Sequence, residues 1–118
     1  MKKSNFVRKD IAEKLKQKGY NEKSHWLYNA SPWFSPKLHW NSEGSDMLTA
    51  PTFTEVIEWL MTCGIYISMR YIGYEGVNSW QAFIFKEGVG ERSCGLGMYG
   101  YVLNNAIYQA LDFLQDEL

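Results

Sequence analysis

The spacing of apolar positions changes period several times along the chain, and each change marks an element. Near the start, Val7, Ile11 and Leu15 recur at i, i+4 and i+8 on an otherwise charged cylinder. That spacing predicts a helix from Ser4 or Asn5 to Lys18, with a narrow buried stripe and Gly19 as its stop. From His25 to Trp40 the helical period is lost and aromatic residues dominate: "HWLYN", then "ASPWFSP", then "KLHW". Pro32 and Pro36 exclude a helix there, because each lacks a backbone donor and restricts the residue before it. Residues 25–40 are therefore expected as two short strands, with Trp33 and Phe34 at the tip of the connecting loop. Residues 41–50 are polar, contain Gly44, and read as a surface connection.

The helical period returns after Pro51. "PTFTEV" sets Thr52 three residues before Glu55, the spacing of a capping box, and opens a helix over about 52–63. Phe53, Val56, Ile57, Leu60 and Met61 make its apolar stripe. Alternation then takes over in "IYISMRYI" (strand, about 65–71) and "SWQAFIFK" (about 79–86), with a weaker strand over about 91–96. Short connections between consecutive strands favour an antiparallel meander. A last helix, about 99–117, carries Tyr99, Leu103, Ala106, Ile107, Ala110, Leu111 and Leu114 at helical spacing. The expected fold is α+β: one domain over 1–118, three to five antiparallel strands and two or three helices. The second and third helices should share one face of the sheet, burying Ile57, Leu60, Leu103, Ile107, Leu111 and Leu114.

Composition adds little to that outline. With 118 residues, 46% of them hydrophobic, the chain has material for one modest core. Charge is uneven: Lys2, Lys3, Arg8, Lys9, Lys14, Lys16, Lys18 and Lys23 crowd the start, whereas acids dominate the remainder. Such a basic helix is expected as a solvated face and, secondarily, as a phosphate-binding one. The start has no apolar stretch behind its lysines, and no run approaches the length of a membrane helix, so a cytoplasmic protein without membrane contact is expected. Cys63 and Cys94 carry no motif and are expected as small buried hydrophobes, with a disulfide between them as the alternative.

"GLGMYG", residues 95–100, spells G-x-G-x-x-G. A dinucleotide site also needs a parallel strand before the glycines, and after the helix a second strand ending in an acid. The chain stops at Leu118 without that strand, so no cofactor is expected and the glycines are assigned to the bend into the last helix. His25, His39, Cys63 and Cys94 have the chemistry of zinc ligands but none of the close pairing that structural zinc sites show. No metal is expected. No serine or cysteine sits in a recognisable nucleophile elbow, so no catalytic residue is assigned and an enzyme is not expected. The best claim to a functional surface belongs to Trp26, Trp33, Phe34 and Trp40, large rings in a segment apart from the aliphatic core. A protein partner or a second copy is the expected ligand, and nucleic acid bound by the basic helix is the alternative.

Three stretches together, "IAEKLKQKGYNE", "PTFTEVIEWL" and "YVLNNAIYQALDFL", resemble a group of small proteins of gut Bacteroidales genomes, their prophages and mobile elements. Members look like "AKKLKEKGF" followed by N or D and E, then "PT" and "WL" around a helix start, then an "AI-x-x-AL" helix. This chain departs in having Tyr101 and Val102 where an acid and an alanine are common. The group has no known activity, so the resemblance carries over no catalytic residue. It implies an accessory role in a mobile element.

Overall fold

A narrow apolar stripe supports only a short helix, and α1 spans nine residues, Lys9–Gln17, with Ile11, Ala12 and Leu15 buried. The computed structural model describes residues 5–74 and 77–115, and Ser4 lies outside them. The helix starts later than its sequence pattern predicts. Phe6 instead forms an antiparallel bridge with Thr52, and the Val7 N–H donates to the Pro51 carbonyl at 3.1 Å. Val7 is buried, but as extended chain. Arg8 and Asp10 pair at 3.2 Å beside the first turn. Gly19, at φ 90, ends the helix as expected. The positive φ lets the Tyr20 N–H reach back to the Leu15 carbonyl at 2.9 Å, a turn that a side chain at position 19 would strain.

Internal contacts divide the chain into two compact units, Met1–Phe53 with Leu114–Leu118, and Thr54–Phe113. In the first, β1 (Ser24–Tyr28) pairs antiparallel with β2 (Pro32–His39). In the second, α2 (Phe53–Thr62) precedes β3 (Ile65–Tyr74), β4 (Val77–Lys86) and β5 (Gly90–Gly97), which pair as an antiparallel meander in the order β3-β4-β5. The chain then enters α3 (Tyr99–Ala110), which a 3-10 turn over Leu111–Phe113 prolongs. The fold is α+β, with three α-helices and five strands in sheets of two and three strands among the described residues.

Register decides which strand residues share a face. Ile67 opposes Ile84, Met69 opposes Ala82 and Tyr71 opposes Trp80, so these six point to one side. That is the side on which α3 packs, where Ile65, Ala82, Ile84 and Cys94 are buried together with Val102, Leu103, Ala106 and Ile107 of the helix. The strands run longer than the sequence predicts, because pairing continues through Gly73↔Asn78 and Tyr74↔Val77. The helices bury less than expected. Leu60, Leu103, Ile107 and Leu111 are in the core, but Ile57 and Leu114 are only half-buried and Met61 and Tyr99 are exposed. A stripe drawn from periodicity is wider than the strip of surface that meets a neighbour, and its flanking positions stay wet. The last helix ends at Ala110, short of the predicted residue 117, and residues 116–118 lie outside the described part.

The glycines of "GLGMYG" do bend the chain. Gly95 and Gly97 close β5 at φ 112 and φ 156, and α3 begins two residues later with Met98 as its N-cap. The strand before them is antiparallel, unlike the parallel strand of a dinucleotide turn.

Candidate interaction surface

Prolines shape the β1–β2 hairpin. Pro32 opens β2, and Pro36 falls inside an irregularity of the pairing, two places where a missing backbone donor is tolerated. The connecting loop is consequently only residues 29–31. Trp33 and Phe34, expected at a loop tip, lie within β2, opposite Leu27 and Trp26. Between Trp26↔Phe34 and Ser24↔His39 the single residue His25 faces four, Ser35 to Leu38, which bulge outward. The other edge of β1 is covered: the Tyr28 N–H donates to the Leu48 carbonyl and the Ala50 N–H to the Trp26 carbonyl, both at 2.8 Å.

Three of the four rings assigned to the surface are well exposed, Trp33 at 48%, Phe34 at 56% and Trp40 at 38%. Trp26 is half-buried, packed between Phe6 at 5.1 Å and Phe34 at 5.6 Å between ring centroids. Phe34 also stacks on His25 at 5.3 Å. The hairpin thus brings Trp26 and Phe34 together on one face, sends Trp33 to the other by strand alternation, and sets Trp40 just beyond β2. Leu38, exposed in the bulge, is a further apolar residue that the sequence pattern did not single out.

A chain of side chains closes the bulge. Glu43 Oε2 lies 3.0 Å from His39 Nδ1, and His39 Nε2 lies 3.0 Å from Ser35 Oγ. A carboxylate only accepts, so His39 donates through Nδ1; in the neutral ring Nε2 then accepts the Ser35 hydroxyl proton, and in the charged ring Nε2 donates to the Ser35 oxygen. Glu43 Oε1 accepts the Trp40 N–H at 2.9 Å, while the Glu43 N–H donates back to the Trp40 carbonyl at 3.1 Å. His25 Nδ1 donates to the Ser35 carbonyl at 3.0 Å. Hydroxyl, imidazole and carboxylate in this order also form the relay of a serine hydrolase. Here Ser35 is buried, at 6% exposure, and its oxygen faces the Lys37 N–H at 3.4 Å, so it offers little surface to a substrate. The relay links Ser35 and His39 of β2 to Glu43 of the 3-10 turn and so ties the two ends of the bulge together. No motif announces these three residues. Their spacing of four crosses from strand to 3-10 turn (Asn41–Glu43), and only the fold aligns them.

Glu43 gives the relay a pH signature. The hydrogen bonds from His39 and from the Trp40 N–H hold its carboxyl below the ordinary glutamate value. A depressed folded value stabilises the folded chain above the unfolded value, and that stabilisation is lost as pH falls through the folded one. Carboxyl NMR should therefore find Glu43 titrating below the ordinary glutamate value, and His39→Ala should return it toward that value. An unshifted Glu43 in the wild-type protein would remove the relay.

Elsewhere in this unit, two expected roles changed. Asn41 and Thr49, placed by sequence in a surface connection, are buried, with only residues 42–46 fully exposed between them. Lys16 and Lys18 are engaged: the Lys16 ammonium donates to the carbonyls of Gly44 (2.8 Å), Ser45 (3.2 Å) and Met47, and Lys18 donates to Leu114 O at 2.8 Å. The Tyr28 hydroxyl donates to the Val7 carbonyl, and burial, then Asp10, pushes its pKa up. A cavity of about 700 Å³ lies beside α1, lined by both charges, Lys9 and Glu13 among them.

Cys63 and Cys94 are free thiols, and Cys94 donates to the Ala82 carbonyl at 3.4 Å. Burial pushes the Cys94 thiol up, away from the reactive thiolate. Among the described residues no three histidines, cysteines or acids gather as metal ligands, and no helix is long and apolar enough to cross a membrane. Comparison with protein families, with curated proteins and with solved structures gives no match.

Proposed function

We propose that this chain works without catalysis, by binding another protein that grips the β1–β2 hairpin from both faces, touching Phe34 (supported by Trp26) on one, Trp33 on the other, and Trp40 just beyond β2. The exposure of those three rings carries the reading. Large aromatics dominate interface energetics, and a hairpin that leaves them wet gives up burial that folding would otherwise take. The edge they occupy disfavours strand addition, since Pro32 and Pro36 remove two backbone donors. Recognition by side chains is the mode that remains. The setting implied by the sequence resemblance is the cytoplasm of a bacterium, as an accessory protein of a mobile element. Nucleic acid is the weaker reading, because Lys16 and Lys18 of the basic helix already donate to backbone carbonyls.

A displayed random-peptide library panned on the wild-type protein, with counter-selection on Trp33→Ser/Phe34→Ser, tests this. Peptides should emerge that bind the wild type and lose roughly tenfold or more in affinity with the double variant, which gives up the Phe34 contacts to Trp26 and His25 but should still melt cooperatively. Enrichment of peptides indifferent to the hairpin, or no enrichment, defeats the proposal. So does tight, salt-sensitive binding of a labelled oligonucleotide that Lys14→Glu abolishes.

A further inference from the structure

The exposed rings of the Thr54–Phe113 unit form a second surface, independent of the hairpin. Trp80 of β4 touches Tyr71 at 5.3 Å and Tyr99 at 4.9 Å between centroids, both edge-on. Trp80 also opposes Gly97 across the sheet, and a Cβ at Gly97 would sit 3.7 Å from the Tyr101 ring. Tyr71, Trp80, Tyr99 and Tyr101 are therefore contiguous, and Met98, the N-cap of α3, stands beside them. Trp80 is half-buried, but Tyr71 is 55% exposed, Tyr99 45%, Tyr101 63% and Met98 77%.

We infer that this patch is the contact between two copies of the chain, related by a two-fold axis. The first argument is area. At roughly 150–250 Å² for each large side chain, those four exposures amount to roughly 360–600 Å² of surface. A stable interface takes about 800 Å² from each partner, of which about 450–520 Å² is apolar. The patch supplies that apolar share.

The second argument is charge. No charged residue occurs between Arg92 and Asp112, and Arg92 and Lys86 lie over the Phe113 ring, at the far end of β4 from Trp80. The α3 side of the patch therefore offers no charge to select a charged partner, and two copies of that side meet without like-charge repulsion or ion desolvation. Two-fold contact further requires groups that can pair with their own copies. A tyrosine hydroxyl both donates and accepts, so three tyrosines meet that condition where an ammonium or a carboxylate could not. A dimer built this way carries two hairpins, and linking two binding sites raises avidity for a repeated target with no new contact.

Sedimentation equilibrium on the full chain tests the inference, with Met98→Lys/Tyr101→Lys and Trp33→Ser/Phe34→Ser alongside the wild type. The wild type should dimerise with a micromolar constant. The lysine pair should weaken the dimer by roughly a hundredfold, by removing the apolar contact and setting like charges across the axis. The hairpin variant should dimerise like the wild type. Both positions of the lysine pair are exposed, so its circular dichroism and thermal melt should match the wild-type monomer. If it does not fold, Tyr71→Ser/Tyr101→Ser replaces it. A wild type that stays monomeric at roughly 1 mM overturns the inference, as does a dimer that survives the patch variants or one that only the hairpin variant dissolves. Peptide binding by the monomeric lysine variant would persist, so failure of this surface and failure of the hairpin are separately visible.

Discussion

Ile107→Asp should leave the chain without a cooperative thermal transition. Ile107 has no solvent exposure, and it lies in the stretch of α3 that packs on the three-stranded sheet. Aspartate there loses the apolar contact and takes a carboxylate out of water into the packed core. The two together cost about 5 kcal/mol or more. A domain of this size is stable by about 5–15 kcal/mol in all, so the substitution consumes most or all of the margin. Ile107→Val is the control: it removes one methyl group and should cost about 0.5–1.5 kcal/mol, with the transition intact. Circular dichroism during heating reads both. A soluble Ile107→Asp protein melting near the wild-type temperature would mean that α3 does not close over the sheet.

Asn41→Leu, which keeps the branching of the side chain but removes its polar atoms, should be strongly destabilising in the hairpin unit. The Asn41 side chain is buried and makes two bonds to distant backbone: Nδ2 donates to the Tyr20 carbonyl and Oδ1 accepts the Thr49 N–H, each at 2.8 Å. Leucine has the same branching with bulkier methyl groups and strands both backbone groups, and each unsatisfied buried group costs about 1–3 kcal/mol. The expected loss is therefore about 2–6 kcal/mol, read from the urea midpoint. Asn41→Asp should fall between, since it keeps the acceptor, loses the donor and brings a charge into the site. Hydrogen exchange at the Thr49 and Ala50 amides should quicken in parallel, because the Ala50 N–H forms part of the edge bonded to β1. A midpoint within error of the wild type for Asn41→Leu would show that the loop is held by something else, for which Lys16 and its three carbonyls are the nearest candidate.

These two residues also separate what each level of description contains. Ile107 was legible from spacing alone. Local periodicity reports which side of an element is apolar, and every element whose stability rests on such a side was placed by it: α1, α2, the three strands and α3. Gly19 and the glycines at 95 and 97 were legible for the same reason, since a backbone that must turn needs a residue free to adopt positive φ. The sequence of residues 25–40 shows extended chain rich in rings, but its two prolines look like loop residues and lengthen the expected connection beyond residues 29–31. In the fold they sit at the start of an outer strand and inside a bulge, where sheets accept them.

Asn41 looked like an ordinary loop residue, as did Ser35, His39 and Glu43 until the bulge aligned them. Their partners, Tyr20 and Thr49 for the asparagine and one another for the relay, are set by strand register and by the path of the loop. Neither leaves a periodic trace in the chain. The tyrosine patch around Trp80 escaped in the same way: Tyr71, Trp80, Tyr99 and Tyr101 come from three elements, and only the pairing of β3, β4 and β5 puts them side by side. The sequence by itself determined which segments become helices and strands and which faces are apolar, because those depend on neighbours a few residues away. Which polar groups meet, and which rings stay in water, only the tertiary structure decided, because those contacts join residues that local sequence cannot relate.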